Sequence, residues 1–255
     1  RTGLSMGQHC DRMAREWQVS REDQDQLALA SHLNAARAWD EGFFDEIVTP
    51  WAGVSRDNNV RADSNIEKLA SLKTVFSTGG EATMTAANST PLTDGASAVL
   101  LASEEWAEKH GLPVQAYLTA GRGAAVDYVN DEGLLMAPAI AVAELLQATG
   151  LTLQDFDFYE IHEAFAAQVL ATLAAWESAD YCRDRLGLEQ PLGSIDREKM
   201  NVKGGSIAIG HPFAATGARI IANLGQILET EGGGRGLISV CAAGGMGVAA
   251  IMERP

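Results

Sequence analysis

Gly204-Gly205-Ser206-Ile207-Ala208-Ile209-Gly210-His211-Pro212, continuing into Phe213-Ala214-Ala215-Thr216-Gly217-Ala218-Arg219, is the stretch whose reading decides this chain. Small residues lead up to a histidine held between glycine and proline, and a helix-forming run follows. Glycine lets backbones approach closely and proline fixes a dihedral, so the imidazole is presented from a constrained backbone. A lone histidine is ordinarily a satisfied polar residue in a core or on a surface, and this segment alone leaves that alternative open. Two more segments bear on it: His162-Glu163-Ala164-Phe165-Ala166 upstream and Cys241-Ala242-Ala243-Gly244-Gly245 downstream. Together they offer a base, a polar donor and a thiol, the groups that acyl chemistry needs.

Outward from these motifs, the pattern alternates strand and helix. Ser20 followed by Asp23 predicts a capped helix running to Trp39 and stopped at Gly42. A second helix is predicted over residues 65–76. Ala96 to Ala102 has the continuous apolar pattern of a buried strand, and Ser103 caps a helix ending near Gly111. Strands are expected over 114–121 and 156–161, with helices over 138–149 and 163–176. The connection 177–200 reads as a surface excursion with a short helix at most. A helix over 215–231 and two apolar strands, 237–242 and 248–252, close the chain. This is an α/β arrangement with a mixed sheet.

With 255 residues and 46% hydrophobic content, the chain can bury a substantial core. A net charge of −15 argues against nucleic-acid binding, which needs a basic stripe. No run reaches the length of a membrane span. Cys10, Cys182 and Cys241 lie far apart without a Cys-x-x-Cys pair, which argues against a metal centre or a disulfide framework. Cys10 and Cys182 read as small packing residues. The chain starts at Arg1 without an initiator methionine, as if inside a longer protein. The missing leader therefore carries no weight on compartment; a cytoplasmic location is the expectation.

His162 and Glu163 fall where an apolar strand meets a helix, the edge at which α/β sheets bind ligands. Glu163 either orients a neighbour or complements a helix N-terminus. Cys241 is either a buried strand thiol or a proton-exchanging group beside a glycine-rich turn that a substrate can approach.

The His-Glu-Ala-Phe-Ala, Gly-His-Pro and Cys-x-x-Gly-Gly motifs, in that order, resemble the thiolases. So do Thr83-Met84-Thr85-Ala86-Ala87-Asn88 with Asp94-Gly95-Ala96, and Ser20-Arg21-Glu22-Asp23-Gln24-Asp25. The histidine at 162, where many thiolases carry asparagine, resembles the β-subunits of fatty-acid oxidation complexes. The resemblance implies a layered αβαβα fold. Residues 1–92 would be the remainder of a CoA-binding loop domain, 93–112 the last strand and helix of the N-terminal domain, and 113–255 the C-terminal domain.

It further implies ping-pong acyl transfer, 3-ketoacyl-CoA thiolysis or acetyl-CoA condensation, in fatty-acid β-oxidation. His211 would deprotonate the nucleophilic cysteine and help hold the thioester oxygen. Cys241 would exchange the α-proton, and the Ala243 N–H would face the acylated nucleophile. His162 and Glu163 would complete the site. Arg61, Thr90, Met136, Ala164 and Phe165 would lie along coenzyme A, here a substrate, with no metal or other cofactor. A homo-oligomer and a partner enzyme of a β-oxidation complex are the implied partners. The nucleophilic cysteine itself has no match, so the chain alone is expected to be inert. A non-catalytic CoA-binding or assembly module, a ketoacyl synthase and a Cys241–His211 hydrolase are the alternatives.

Overall fold

The computed structural model describes residues 2–77 and 79–255. Its helices are α1 (Met6–Glu16), α2 (Arg21–Asp40), α3 (Ile66–Ala70), α4 (Glu104–His110), α5 (Ala137–Thr149), α6 (Ala166–Glu177), α7 (Ala179–Leu186), α8 (Ser206–Ile209) and α9 (Thr216–Thr230). The strands β1 (Tyr117–Ala125), β2 (Phe158–Ile161), β3 (Gly234–Ala242) and β4 (Met246–Arg254) form one sheet in the order β1-β4-β3-β2. β1 and β3 run antiparallel to β4, while β2 runs parallel to β3. The sheet is mixed, as the sequence pattern predicts.

Alternation along β3 explains the layers. Leu237 and Cys241 point into the main core with α5 and α6, and Ile238 and Val240 point toward α9. α1 and α2 pack on the outer side of α6, with α2 also against α8. From one side to the other the layers are α9, the sheet, α5 with α6, then α1 with α2. The carboxyl ends of β2 and β3 lie side by side, and the chain leaving β2 enters α6 through His162 to Phe165.

Local chemistry accounts for several elements. Ser20 caps α2 by accepting the Asp23 N–H at 3.0 Å, and Ser103 caps α4 by accepting from Trp106. α1 is an addition to the sequence reading. Its start is a capping box, in which Gln8 N–H donates to Ser5 Oγ and Ser5 N–H donates to Gln8 Oε1.

Four expectations need correction. The helix predicted over 65–76 ends at Ala70. Val75 N–H donates to the Met84 carbonyl and Thr74 bridges Thr85, while Arg21 takes up the Leu69 and Leu72 carbonyls. Extended pairing there replaces further helical turns. The strand predicted over Ala96–Ala102, within the 93–112 unit, does not form. Among the described residues nothing pairs with it, and a strand without a ladder leaves its backbone groups to water. The helix expected from Glu163 begins at Ala166, because Glu163 is committed elsewhere. The strand expected over 114–121 is shifted to Tyr117–Ala125 by its pairing with β4. α7, of eight residues, is the short helix of the excursion 177–200.

Candidate active site

The site is built at the end of β2. His162 N–H donates to the Ser239 carbonyl at 2.8 Å, extending the β2–β3 ladder by one residue. The block from Thr85 to Thr90 then fixes the turn: Ala166 N–H donates to the Asn88 carbonyl and Thr90 N–H to the Ala164 carbonyl. Asn88 is held by the Thr85 N–H and by Asp25 on α2. The small polar residues of this block are therefore the seat of the His-Glu-Ala-Phe-Ala segment.

Glu163 is wholly buried and accepts three hydrogen bonds. Ser31 Oγ donates at 2.7 Å, Asn201 Nδ2 at 2.6 Å and the Ile207 N–H at 3.1 Å. Burial pushes its carboxyl up, and these donors pull it back down. Its work is to tie α2, β2 and the start of α8 together. A Cβ on Gly205 would fall 2.2–2.4 Å from this carboxylate, so only glycine leaves it room. Gly210, at φ +111°, would carry a Cβ 2.5 Å from Thr93. The glycines before the histidine are thus explained by close approach.

These constraints bring two imidazoles together. The rings of His162 and His211 lie 4.4 Å apart between centroids, tilted by 46°. His162 is 1% exposed, whereas His211 is half-buried and in contact with the exposed Phe213. Burial holds His162 far below the ordinary imidazole range, helped by His211 and Arg219; burial and Arg219 lower His211 as well. Both rings are neutral at neutral pH.

The partner of His211 reveals its tautomer. Its Nδ1 lies 2.5 Å from Thr216 Oγ1, and the Thr216 hydroxyl donates to the Pro212 carbonyl. With that proton committed, Thr216 Oγ1 accepts from His211, which places the imidazole proton on Nδ1 and leaves Nε2 as a free base. α9 thus acts on His211 through a side chain of its first turn.

Cys241 ends β3 with its Sγ turned to Gln168 Oε1 on α6, at 3.6 Å. Burial raises its thiol to about 12, so it rests protonated. Among the described residues no hydrogen bond joins Cys241 to either histidine. Ala243 is exposed in the β3–β4 turn, beside Gly244 and Gly245, both with positive φ. Cys10 is fully buried, and its thiol is raised by burial and then by the nearby Cys241. Cys182 is buried too and donates to the Ala175 and Trp176 carbonyls.

The other sequence candidates spread more widely. Thr90 spends its hydroxyl on the Ser206 carbonyl at 2.6 Å. Ala164 and Phe165 are buried at the turn, Phe165 edge-on to Phe76. Met136 sits inside the main core, packed over Gly133. Arg61 is exposed; its guanidinium takes the Asn58 and Val60 carbonyls, while its backbone N–H donates to His32 Nδ1. Residues the sequence reading passed over are Ser206, Thr216, Arg219 and Gln168. The first three stand inside the quoted Gly-His-Pro stretch, where spacing alone gives no partner.

The thiolase N-terminal domain family matches residues 1–105, and the thiolase C-terminal domain family matches residues 112–254. The chain belongs to the thiolase family. It is 48% identical to a 3-ketoacyl-CoA thiolase of Aeromonas salmonicida, over 99% of this chain and 58% of that protein. A 3-ketoacyl-CoA thiolase of Yersinia pestis is 46% identical over the same shares. Among solved structures, a Bacillus anthracis acetyl-CoA acetyltransferase superposes with a TM-score of 0.81 at 35% identity, covering 98% of this chain and 60% of that one. Human mitochondrial 3-ketoacyl-CoA thiolase in complex with CoA gives 0.79 at 29% identity, covering 98% and 59%. The chain thus spans a little under two thirds of the length of these thiolases. Among the described residues, no helix is long and apolar enough to cross a membrane.

Proposed function

We propose that the protein carrying this chain is an acyltransferase that cleaves 3-ketoacyl-CoA with coenzyme A, and runs the reverse Claisen condensation at the same site. The observation that carries this reading is the close, tilted pair of neutral histidines at the end of β2, one with a free Nε2. His211 Nε2 takes the proton of a nucleophilic thiol. The thiolate adds to the keto carbon, and the C–C bond breaks with its electron pair leaving on the acetyl-CoA carbanion. Cys241, protonated at rest, gives that carbanion its proton. Coenzyme A then gives its thiol proton to the Cys241 thiolate, its sulfur displaces the acyl group from the enzyme, and the released nucleophilic thiolate takes back the proton held on His211.

Within this reading the acylated cysteine comes from outside these residues. Cys10 and Cys182 are buried in packing positions, and a thiol locked in a core is a poor nucleophile. The chain by itself would then be inert, and the complete protein would be an oligomer that meets acyl-CoA at this edge. Arg61, Ala164 and Phe165 are its candidate CoA neighbours; Ala243 offers a backbone N–H to the acylated group. Fatty-acid β-oxidation is the process this chemistry fits, and a second β-oxidation enzyme is the proposed partner.

The test is thiolysis of acetoacetyl-CoA by the full-length protein and its His211→Ala variant. Removing the base should cost at least ~10²-fold in kcat and abolish the acylation burst. Turnover equal to wild type would refute the assignment.

A further inference from the structure

Arg219 is a charged residue that the reaction above does not use. It is partly buried on α9 with its Nε and Nη1 enclosed, and its charged neighbours are Glu160, Glu163 and Asp57. Its Nε and Nη1 have no protein partner among the described residues. Its remaining nitrogen, Nη2, donates to Ser206 Oγ at 2.7 Å. Ser206 Oγ in turn lies 2.8 Å from His162 Nδ1, and Ser206 is itself 1% exposed.

Proton counting fixes what this chain of contacts does. A guanidinium can only donate, so the Ser206 oxygen accepts from Arg219. The serine proton must then go elsewhere, and His162 Nδ1 is the acceptor within reach among the described residues. If Nδ1 carried the imidazole proton instead, the serine hydrogen would be buried without a partner, which makes that tautomer roughly 5- to 100-fold the rarer. We infer that Ser206 and Arg219 are positioning residues that hold His162 with its proton on Nε2, the opposite tautomer to His211.

The two rings then divide the work. His211 presents a lone pair, held by Thr216 from α9. His162 presents an N–H, held by Ser206 on α8 and braced by Arg219 from α9. A donor aimed where negative charge develops stabilises a transition state only if its proton is already on the right atom. Without the serine, His162 would have two tautomers of similar energy and would be a donor for part of the time. A second effect concerns charge: burial first, then His211 and the positive charge of Arg219, keep His162 from taking another proton and becoming an imidazolium. This role for the N–H in catalysis rests on the thiolase reading; the tautomer assignment does not.

The decisive measurement is ¹⁵N NMR of histidine-labelled full-length protein at neutral pH, with signals assigned through His162→Gln and His211→Gln. In the wild type, His162 should show an unprotonated Nδ1 and a protonated Nε2, and His211 the reverse. A protonated Nδ1 on His162 would overturn the inference without any variant having been made at Ser206. Ser206→Ala should turn the His162 pattern into a mixture and leave that of His211 unchanged, and Ser206→Thr should restore it. A His162 pattern unmoved by Ser206→Ala would also overturn it. In thiolysis, Ser206→Ala should lower kcat by about tenfold with KM little changed, less than the ~10²–10³ that loss of a whole donor costs. Should the protein have no thiolysis activity while the two tautomers are found as stated, the catalytic reading fails and the positioning role stands.

Discussion

Glu163 and Leu100 are both placed by the same kind of apolar pattern in sequence, yet their surroundings differ completely. The Glu163 carboxylate is enclosed and meets donors from α2, from Asn201 and from the start of α8. Leu100 and Leu101 stand 73% and 62% exposed on a chain segment without a ladder partner. One region has more polar partners than its sequence suggests, and the other has fewer apolar ones. The comparison shows that the histidine centre is assembled from this chain's own residues. The 92–103 stretch has the composition of a buried element and the environment of a loop.

The largest effect should come from breaking the first region. Glu163→Ala leaves Asn201 Nδ2, Ser31 Oγ and the Ile207 N–H facing an empty space, and it should cost about 3–5 kcal/mol in a denaturant titration. A loss below 1 kcal/mol would mean that water takes over the carboxylate's part, and the contrast between the regions would dissolve.

His32 tests an intermediate case, a half-enclosed pair at the edge of α2. Its Nδ1 accepts the Arg61 N–H, which an unprotonated nitrogen alone can do, and burial first, then Arg61, lowers it to about 4. The unfolded chain takes up this proton near 6.5 while the folded one resists until about 4. Stability therefore rises with pH across that window and is lost as pH falls through it. Thermal melts from pH 4 to 7 should show this slope, and His32→Gln should flatten it by about 3 kcal/mol over the range. An unchanged slope would assign the acid sensitivity to other lowered groups, His162 and His211 among them.

The smallest effect is expected in the second region. Replacing Leu100 and Leu101 together by serine should change the stability of this chain by less than about 0.5 kcal/mol, because surface side chains bury little area here. Light scattering should report weaker self-association, since an exposed apolar patch favours contact between copies. A larger destabilisation would show that these leucines are packed in solution.

Much of this architecture was legible in local chemistry. The caps Ser20 and Ser103, the glycine stop after α4 and the apolar pair β3–β4 all act through neighbours in sequence. α1 was equally legible, from the Ser5–Gln8 capping box and from the helical spacing of Met6, Cys10, Met13 and Ala14. The segment 71–76 was not legible, since its helix gives way to pairing with residues 84 and 85. The strand read at Ala96–Ala102 failed for a related reason: an apolar run states a preference for burial and supplies no partner. At the site, the motifs pointed to His162, His211 and Cys241. Which nitrogen each histidine protonates depends on Thr216, Ser206 and Arg219, and such contacts exist only once α8 and α9 are docked. Glu163 is similar, because sequence offered a helix-end role or an orienting role and the fold uses it as a tie among three elements.

That tie has a kinetic side. Ser31 and Glu163 are 132 positions apart along the chain, and Asn201 and Ile207 add further long closures. Contacts of such high sequence separation are slow to find and pay their loop entropy before any gain returns. The helices α2, α5 and α9 can form from local signals. The junction that seats both histidines has to wait for distant segments to meet, so a refolding chain should recover its helical signal well before it protects the amides of Gly205 and Ile207.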